Sequence, residues 1–140
     1  MSKSGTIVIV EDDRDDVEIF ESIVRDLNIQ NKIEWFAEAE SAYKYLSTTS
    51  DKMFLIFSDI NMPGKNGLEF KREIDATPEL RKKSIPFVFF STAASQKNID
   101  EAYLNLTIQG FFVKGSNYDE LKKLLKNIFE YWMHCKHPNA

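Results

Sequence analysis

At 140 residues the chain has room for one domain and one full core. Its 43% hydrophobic and 29% charged residues exclude disorder as a global description. With 18 Lys and Arg against 22 Asp and Glu, the net charge of −4 excludes a general electrostatic grip on nucleic acid or on an anionic membrane surface.

A first strand is predicted at residues 6–10, where Ile7-Val8-Ile9-Val10 runs straight into Glu11-Asp12-Asp13. Behind Lys3, that run is shorter than the roughly 7 to 15 apolar residues of a secretory leader, so the expected compartment is the cytoplasm. A first helix follows with Val17, Phe20, Val24 and Leu27 on one face. A second strand is predicted at 32–36, then a shorter helix with Ala42, Tyr45 and Leu46 inward. The third strand, 53–58, holds the longest apolar run, Met53-Phe54-Leu55-Ile56-Phe57; it falls far short of the roughly 20 residues that cross a bilayer, and it ends at Asp59. A third helix starts after Gly67 with Leu68 and Ile74 inward and stops near Thr77, because Pro78 disfavours helical geometry in the residue before it. Residues 78–84, with Arg81, Lys82 and Lys83, read as a polar surface loop with a solvated charged face. The fourth strand, 87–90, ends at Ser91, and a helix over 95–106 follows with Ile99, Ala102, Tyr103 and Leu106 at the right spacing. The fifth strand, 110–113, ends at Lys114. Asn117 is the expected cap of a last helix whose Leu121, Leu124, Leu125, Ile128 and Trp132 form a wide apolar stripe. Phe129, Tyr131 and Trp132 read either as packing on the domain or as a dimer or partner surface. Residues 131–140 are expected to be a tail, in which His134-Cys135-Lys136-His137 is frayed and lacks the ligand spacing of a zinc site. Cys135, the only cysteine, fits a reducing compartment.

Alternating strands and helices without a repeat or linker predict a doubly wound α/β fold: a five-stranded parallel sheet in the flavodoxin-like order 2-1-3-4-5 with helices on both faces. The chain is expected to be one domain with a core over about residues 6–130. Ligands of such sheets bind at the carboxyl ends of the strands, and the first and third strands are neighbours there. Glu11, Asp12 and Asp59 should therefore converge. Packed carboxylates raise one another's pKa unless a cation lies among them, which points to a hard divalent ion, with Mg2+ the natural candidate. Each acid also has a local reading: Asp12 or Asp13 as a helix cap, Asp59 as a stabiliser of the turn before Met62-Pro63-Gly64. Ser91 and Lys114 add a hydroxyl and an ammonium group to the same edge. Together these groups suit phosphoryl transfer to a carboxylate, with Asp59 attacking, Lys114 as a point charge and Ser91 as a hydrogen-bond partner.

At these residues the chain resembles the receiver domain of bacterial two-component response regulators, the CheY-like single-domain kind. The resemblance spans about residues 6–129. It rests on the stretch from Ile7 to Asp13, on Phe57-Ser58-Asp59-Ile60-Asn61-Met62-Pro63-Gly64 through Gly67, on Ile85 to Ala93, and on Gly110-Phe111-Phe112-Val113-Lys114. It implies that Asp59 is the phosphoacceptor and that Asp12, Asp59 and the backbone carbonyl of Asn61 bind Mg2+ directly, with Glu11 acting through a water. Ser91 takes the place of the switch hydroxyl, Lys114 that of the family's lysine, and Phe111 that of the aromatic residue whose rotamer reports phosphorylation. For Phe111, core packing beside Phe112 is the competing reading. The implied partners are a sensor histidine kinase or phosphotransfer protein and a downstream protein target, with no nucleic acid and no membrane; a homodimer stays open.

Three positions depart from the family pattern. Gly115 follows Lys114 where the family usually has a proline, often cis, and a cis bond costs about 3 kcal/mol without proline, so a looser or rerouted loop is expected. Thr92 is larger than the smallest residues beside the switch hydroxyl, and Ala93 offers nothing to position a hydrolytic water. The resemblance thus implies a phosphoacceptor signalling domain without an output domain. A pseudo-receiver that binds proteins without phosphorylation is the alternative. A magnesium-dependent phosphohydrolase is disfavoured because Asn61 stands where its general acid is needed.

Overall fold

The computed structural model describes residues 2–92, 95–115 and 117–138. After a short 3-10 turn at Ser2–Ser4, the elements run β1 (Thr6–Val10), α1 (Arg14–Asp26), β2 (Ile33–Phe36), α2 (Ala39–Thr48), β3 (Met53–Ser58), α3 (Gly67–Ala76), α4 (Pro78–Lys83), β4 (Phe87–Ser91), α5 (Gln96–Asn105), β5 (Gly110–Val113) and α6 (Tyr118–His134). All strand pairs are parallel and the order is β2-β1-β3-β4-β5, as expected.

Helices cover both faces, which is why the central strands read as unbroken apolar runs: β1, β3 and β4 are buried at every position. Strand alternation sorts their side chains into two cores. Val8, Val10, Phe87 and Phe89 pack with α2, α3 and α5, whereas Ile7, Ile9, Val88 and Phe90 pack with α1 and α6. Phe111 joins the first core and Phe112 the second.

Local chemistry sets the helix ends. Asp13 caps α1 by accepting from the Asp15 and Asp16 amides, Asn66 and Glu69 form a reciprocal capping box on α3, and Asn117 caps α6 as expected. The turn before α3 passes through Gly64 at φ +75°, a conformation glycine adopts without a side-chain penalty.

Two expectations need correction. Residues 78–84 are mostly the helix α4, started by Pro78 in its first turn and docked through buried Leu80. The tail is not frayed: His137 is 1% exposed, its Nε2 lies 2.8 Å from the Phe54 carbonyl oxygen, and its ring packs against Phe54 and Trp132. Ala102 in α5 and Leu106 just past its end are buried, while Tyr103 is largely exposed. Among the described residues, no helix is long and apolar enough to cross a membrane.

Candidate functional site

Parallel pairing of β1 with β3 puts Val10 opposite Ser58, so the next residue on each strand, Glu11 and Asp59, leaves the sheet at the same edge. The Asp59 amide donates to the Val10 carbonyl at 3.0 Å, which locks the two strand ends together. Carboxylate oxygens of Glu11, Asp12 and Asp59 lie within 4.8 Å of one another. Glu11 and Asp59 are buried and Asp12 is exposed. Asp13 takes the capping role, so Asp12 is not spent on the helix. Asp59 does have a local partner, since its Oδ1 accepts from the Ile60 amide at 2.7 Å.

Glu11 is held at every polar atom. Its Oε1 accepts from Lys114 Nζ, its Oε2 from the Asp13 amide at 3.2 Å, its amide donates to the Phe36 carbonyl at 3.0 Å, and its carbonyl accepts from Trp35 Nε1 at 2.7 Å. Lys114 also donates to Asp16 Oδ2 at 3.2 Å and lies 5.7 Å from the centre of the Phe90 ring. Its amide donates to the Ser91 carbonyl at 2.8 Å. Lys114 is thereby fixed despite the glycine after it, and the described residues contain no cis peptide bond.

The Glu11 carboxyl is raised to about 7, with burial driving it up against the hydrogen bond and charge of Lys114 and the Asp59 charge adding to the rise. Burial also works against the charge on Lys114, but the bond to Glu11 and the charges of Glu11, Asp59 and Asp16 outweigh it and leave its pKa raised. An acid whose ionisation burial opposes is one that a cation would favour in its charged form. Three carboxylates offering only oxygen suit a hard divalent ion. Glu11, Asp16 and Asp59 open onto a cleft of about 260 Å³ whose walls include Thr92, Phe57, Phe90 and Ile19.

Ser91 is the last residue of β4 and fully buried, while Asn61 lies exposed two residues past Asp59. Phe111 sits on β5, half-buried, with its ring 5.7 Å from that of Phe89 and its amide donating to the Tyr103 hydroxyl at 3.0 Å. Ala93 lies outside the described residues. Sequence reasoning named Gly67 only as part of the motif and missed Asp16 and Trp35. Asp16 shares Lys114, and as the second acid in the first turn of α1, after Asp15, it was open to being noticed. Gly67 packs directly on the Asp59 backbone, its amide bonded to the Ile60 carbonyl at 2.8 Å. Trp35, 24 residues from Glu11, left no local signal.

Residues 7–126 match the family model described as the response regulator receiver domain. The chain belongs to that family. The receiver is 30% identical over 131 residues to the chemotaxis protein CheY-3 of Vibrio cholerae, covering 93% of this chain and 95% of that one. It is 25% identical over 132 residues to the response regulator Rcp1 of Synechocystis sp., covering 91% and 88%. Its structure is similar to that of the phosphorylated cyanobacterial phytochrome response regulator RcpA, with a TM-score of 0.85 at 26% identity over 96% of this chain and 98% of that one. The receiver is thus a two-component signalling domain whose acidic cluster can hold a metal ion.

Proposed function

We propose that this receiver accepts a phosphoryl group on Asp59 from a phosphohistidine of a sensor histidine kinase or phosphotransfer protein, with Mg2+, and that phosphorylation alters a protein-binding surface. The observation that carries this reading is the convergence of the Glu11, Asp12 and Asp59 carboxylates within 4.8 Å, with Lys114 bonded to Glu11.

With Oδ1 of Asp59 engaged by the Ile60 amide, Oδ2 is the oxygen that attacks phosphorus. The new O–P bond forms as the donor's N–P bond breaks, and the departing imidazole keeps the bonding pair and takes up a proton. Asp12 and Asp59, with the backbone carbonyl of Asn61, are the direct metal donors in this reading. Both oxygens of Glu11 already have partners, which supports its acting through a water. When bound, the metal supplies positive charge to the phosphoryl oxygens. Lys114 neutralises a further oxygen as a point charge, and the Ser91 hydroxyl bonds another.

Movement of Ser91 toward the phosphoryl group would let Phe111 repack against Phe89 and shift the Tyr103 bond, passing the change to α5 and β5. The whole set of Glu11, Asp12, Asp59, Ser91 and Lys114 stands against the pseudo-receiver reading.

Incubation with Mg2+ and acetyl phosphate, followed by intact mass, tests the proposal. One base-labile phosphoryl adduct is expected, lost in Asp59→Asn and on chelation. Its absence with acetyl phosphate and with a panel of phosphorylated kinases would overturn it.

A further inference from the structure

Trp35 joins three parts of the molecule that meet at the acidic site. It sits on β2, an edge strand paired only with β1, opposite Ile9. From there its indole reaches across the carboxyl end of β1 and donates from Nε1 to the Glu11 carbonyl at 2.7 Å. Its ring face meets Arg14, the first residue of α1, with the guanidinium carbon 5.9 Å from the ring centre. The Glu11 amide meanwhile donates to the Phe36 carbonyl, the residue after Trp35. Two consecutive residues of β2 thus grip Glu11 from both sides, one through main chain and one through side chain.

The gripped carbonyl belongs to the peptide that joins Glu11 to Asp12. Its direction sets the plane of that peptide and with it the N–Cα bond of Asp12, from which the carboxylate side chain hangs. Asp12 lies on an exposed bend between the end of β1 and the Asp13 cap, so side-chain packing does little to aim it. Without the indole donor, water can satisfy the Glu11 carbonyl in more than one orientation of the peptide, and the spread passes to the Asp12 carboxylate.

We infer that Trp35 is a positioning residue for the acidic site, aiming Asp12 through the Glu11 carbonyl, and that its indole reports occupancy of the site by a divalent cation. This rests on the reading of Glu11, Asp12 and Asp59 as a metal centre. A cation held by Asp12 and Asp59 would place its charge beside the Glu11–Asp12 peptide to which the indole is bonded, and the emitting ring would feel that field.

Trp35→Phe keeps a ring against Arg14 and removes only the donor. Mn2+ is the probe, with free ion read by electron paramagnetic resonance in the full chain. A three- to tenfold rise in Kd is expected in the variant, about what loss of one ordinary hydrogen bond gives. Equal affinity in a variant that has lost thermal stability makes the role merely structural and overturns the inference. The second arm leaves the site untouched: in Trp132→Phe, Trp35 is the only tryptophan of the two in the chain. Its emission should change saturably with Mg2+ at the Kd obtained by competition with Mn2+, and a flat emission while Mn2+ binds overturns the reporter role. If the parent protein binds no Mn2+ at all, the metal-centre reading falls and this inference falls with it.

Discussion

Gly67 opens α3 beside the main chain that presents Asp59. A methyl group on its Cα would lie 2.1 Å from the Asp59 carbonyl oxygen and 3.0 Å from the Ile60 Cα, and both are backbone atoms that cannot swing aside. Gly67→Ala therefore has to push α3 away from the end of β3 or move Asp59 itself. The expected cost is about 1 to 3 kcal/mol in urea unfolding, in the range of other overpacked sites. The phosphorylation rate in acetyl phosphate should fall more than that cost alone explains, because a full-length fold with a shifted Asp59 is still misaligned; an unchanged rate in the folded fraction would refute the close-packing argument. The residues of the site were legible where strand ends name them: Glu11, Asp12, Asp59 and Lys114 each follow a strand, and the sequence places strand ends well. Residues that serve the site from a distance in sequence, such as Trp35 on Glu11, were not legible, because nothing local distinguishes an indole that donates to a turn from one that packs on an edge.

Helix α3 carries a polar pair that no catalytic role requires. Lys71 and Asp75, one turn apart, meet at 2.9 Å with side chains only 6% and 12% exposed, and the ammonium lies 5.1 Å from the centre of the Phe87 ring. Asp75 also accepts from the Thr107 amide at 3.1 Å and its hydroxyl at 2.7 Å, tying α3 to the segment between α5 and β5. Burial alone would raise the Asp75 carboxyl, but the Thr107 and Lys71 contacts outweigh it and hold the pKa below the usual carboxylate range. For Lys71 burial wins over Asp75, and its pKa is lowered. The folded protein therefore binds the Asp75 proton more weakly than the unfolded chain does. That stability is present above an ordinary aspartate pKa of about 3.9 and is lost as pH falls through the lower folded value. Asp75→Asn should flatten this acid limb and also cost about 3 kcal/mol at neutral pH, since it leaves a buried ammonium without its carboxylate. Lys71→Met should stay within about 1 kcal/mol of the parent, because Thr107 still satisfies Asp75. Denaturant unfolding of both variants at pH 7 checks the order, and a costlier Lys71→Met would sink the argument. Strands were read well at this scale because burial on both faces leaves continuous apolar runs. Helix α4 was missed because six residues give too little period to distinguish a turn of helix from a charged loop, and its one inward residue, Leu80, is a single point of pattern.

The end of the described chain closes the sheet edge opposite the acids. His137 follows α6 by three residues, yet it lies against Phe54, near the start of β3 and 83 positions away, and between the rings of Phe54 and Trp132. Its Nε2 donates to the Phe54 carbonyl at 2.8 Å. At the same edge, Lys3 Nζ donates to the Met133 carbonyl at 2.8 Å, so the two ends of the described chain meet on the last turn of α6. These contacts turn Trp132 from a candidate partner surface into packing, while Tyr131, two-thirds exposed, stays outside. A separation of 83 residues explains why composition and period suggested a frayed tail: the partner that makes His137 a buried residue is invisible to any local window. His137→Ala removes a ring from the second core and leaves the Phe54 carbonyl without its donor. The expected loss is about 2 kcal/mol in urea unfolding, combining a small cavity with an unmet buried acceptor. Phosphorylation by acetyl phosphate should be unchanged in the folded protein, since the site lies at the other end of the strands. Wild-type stability in His137→Ala would show that the tail does not hold this edge. A loss of phosphorylation in a stably folded variant would instead mean that the two edges of the sheet are coupled through β3.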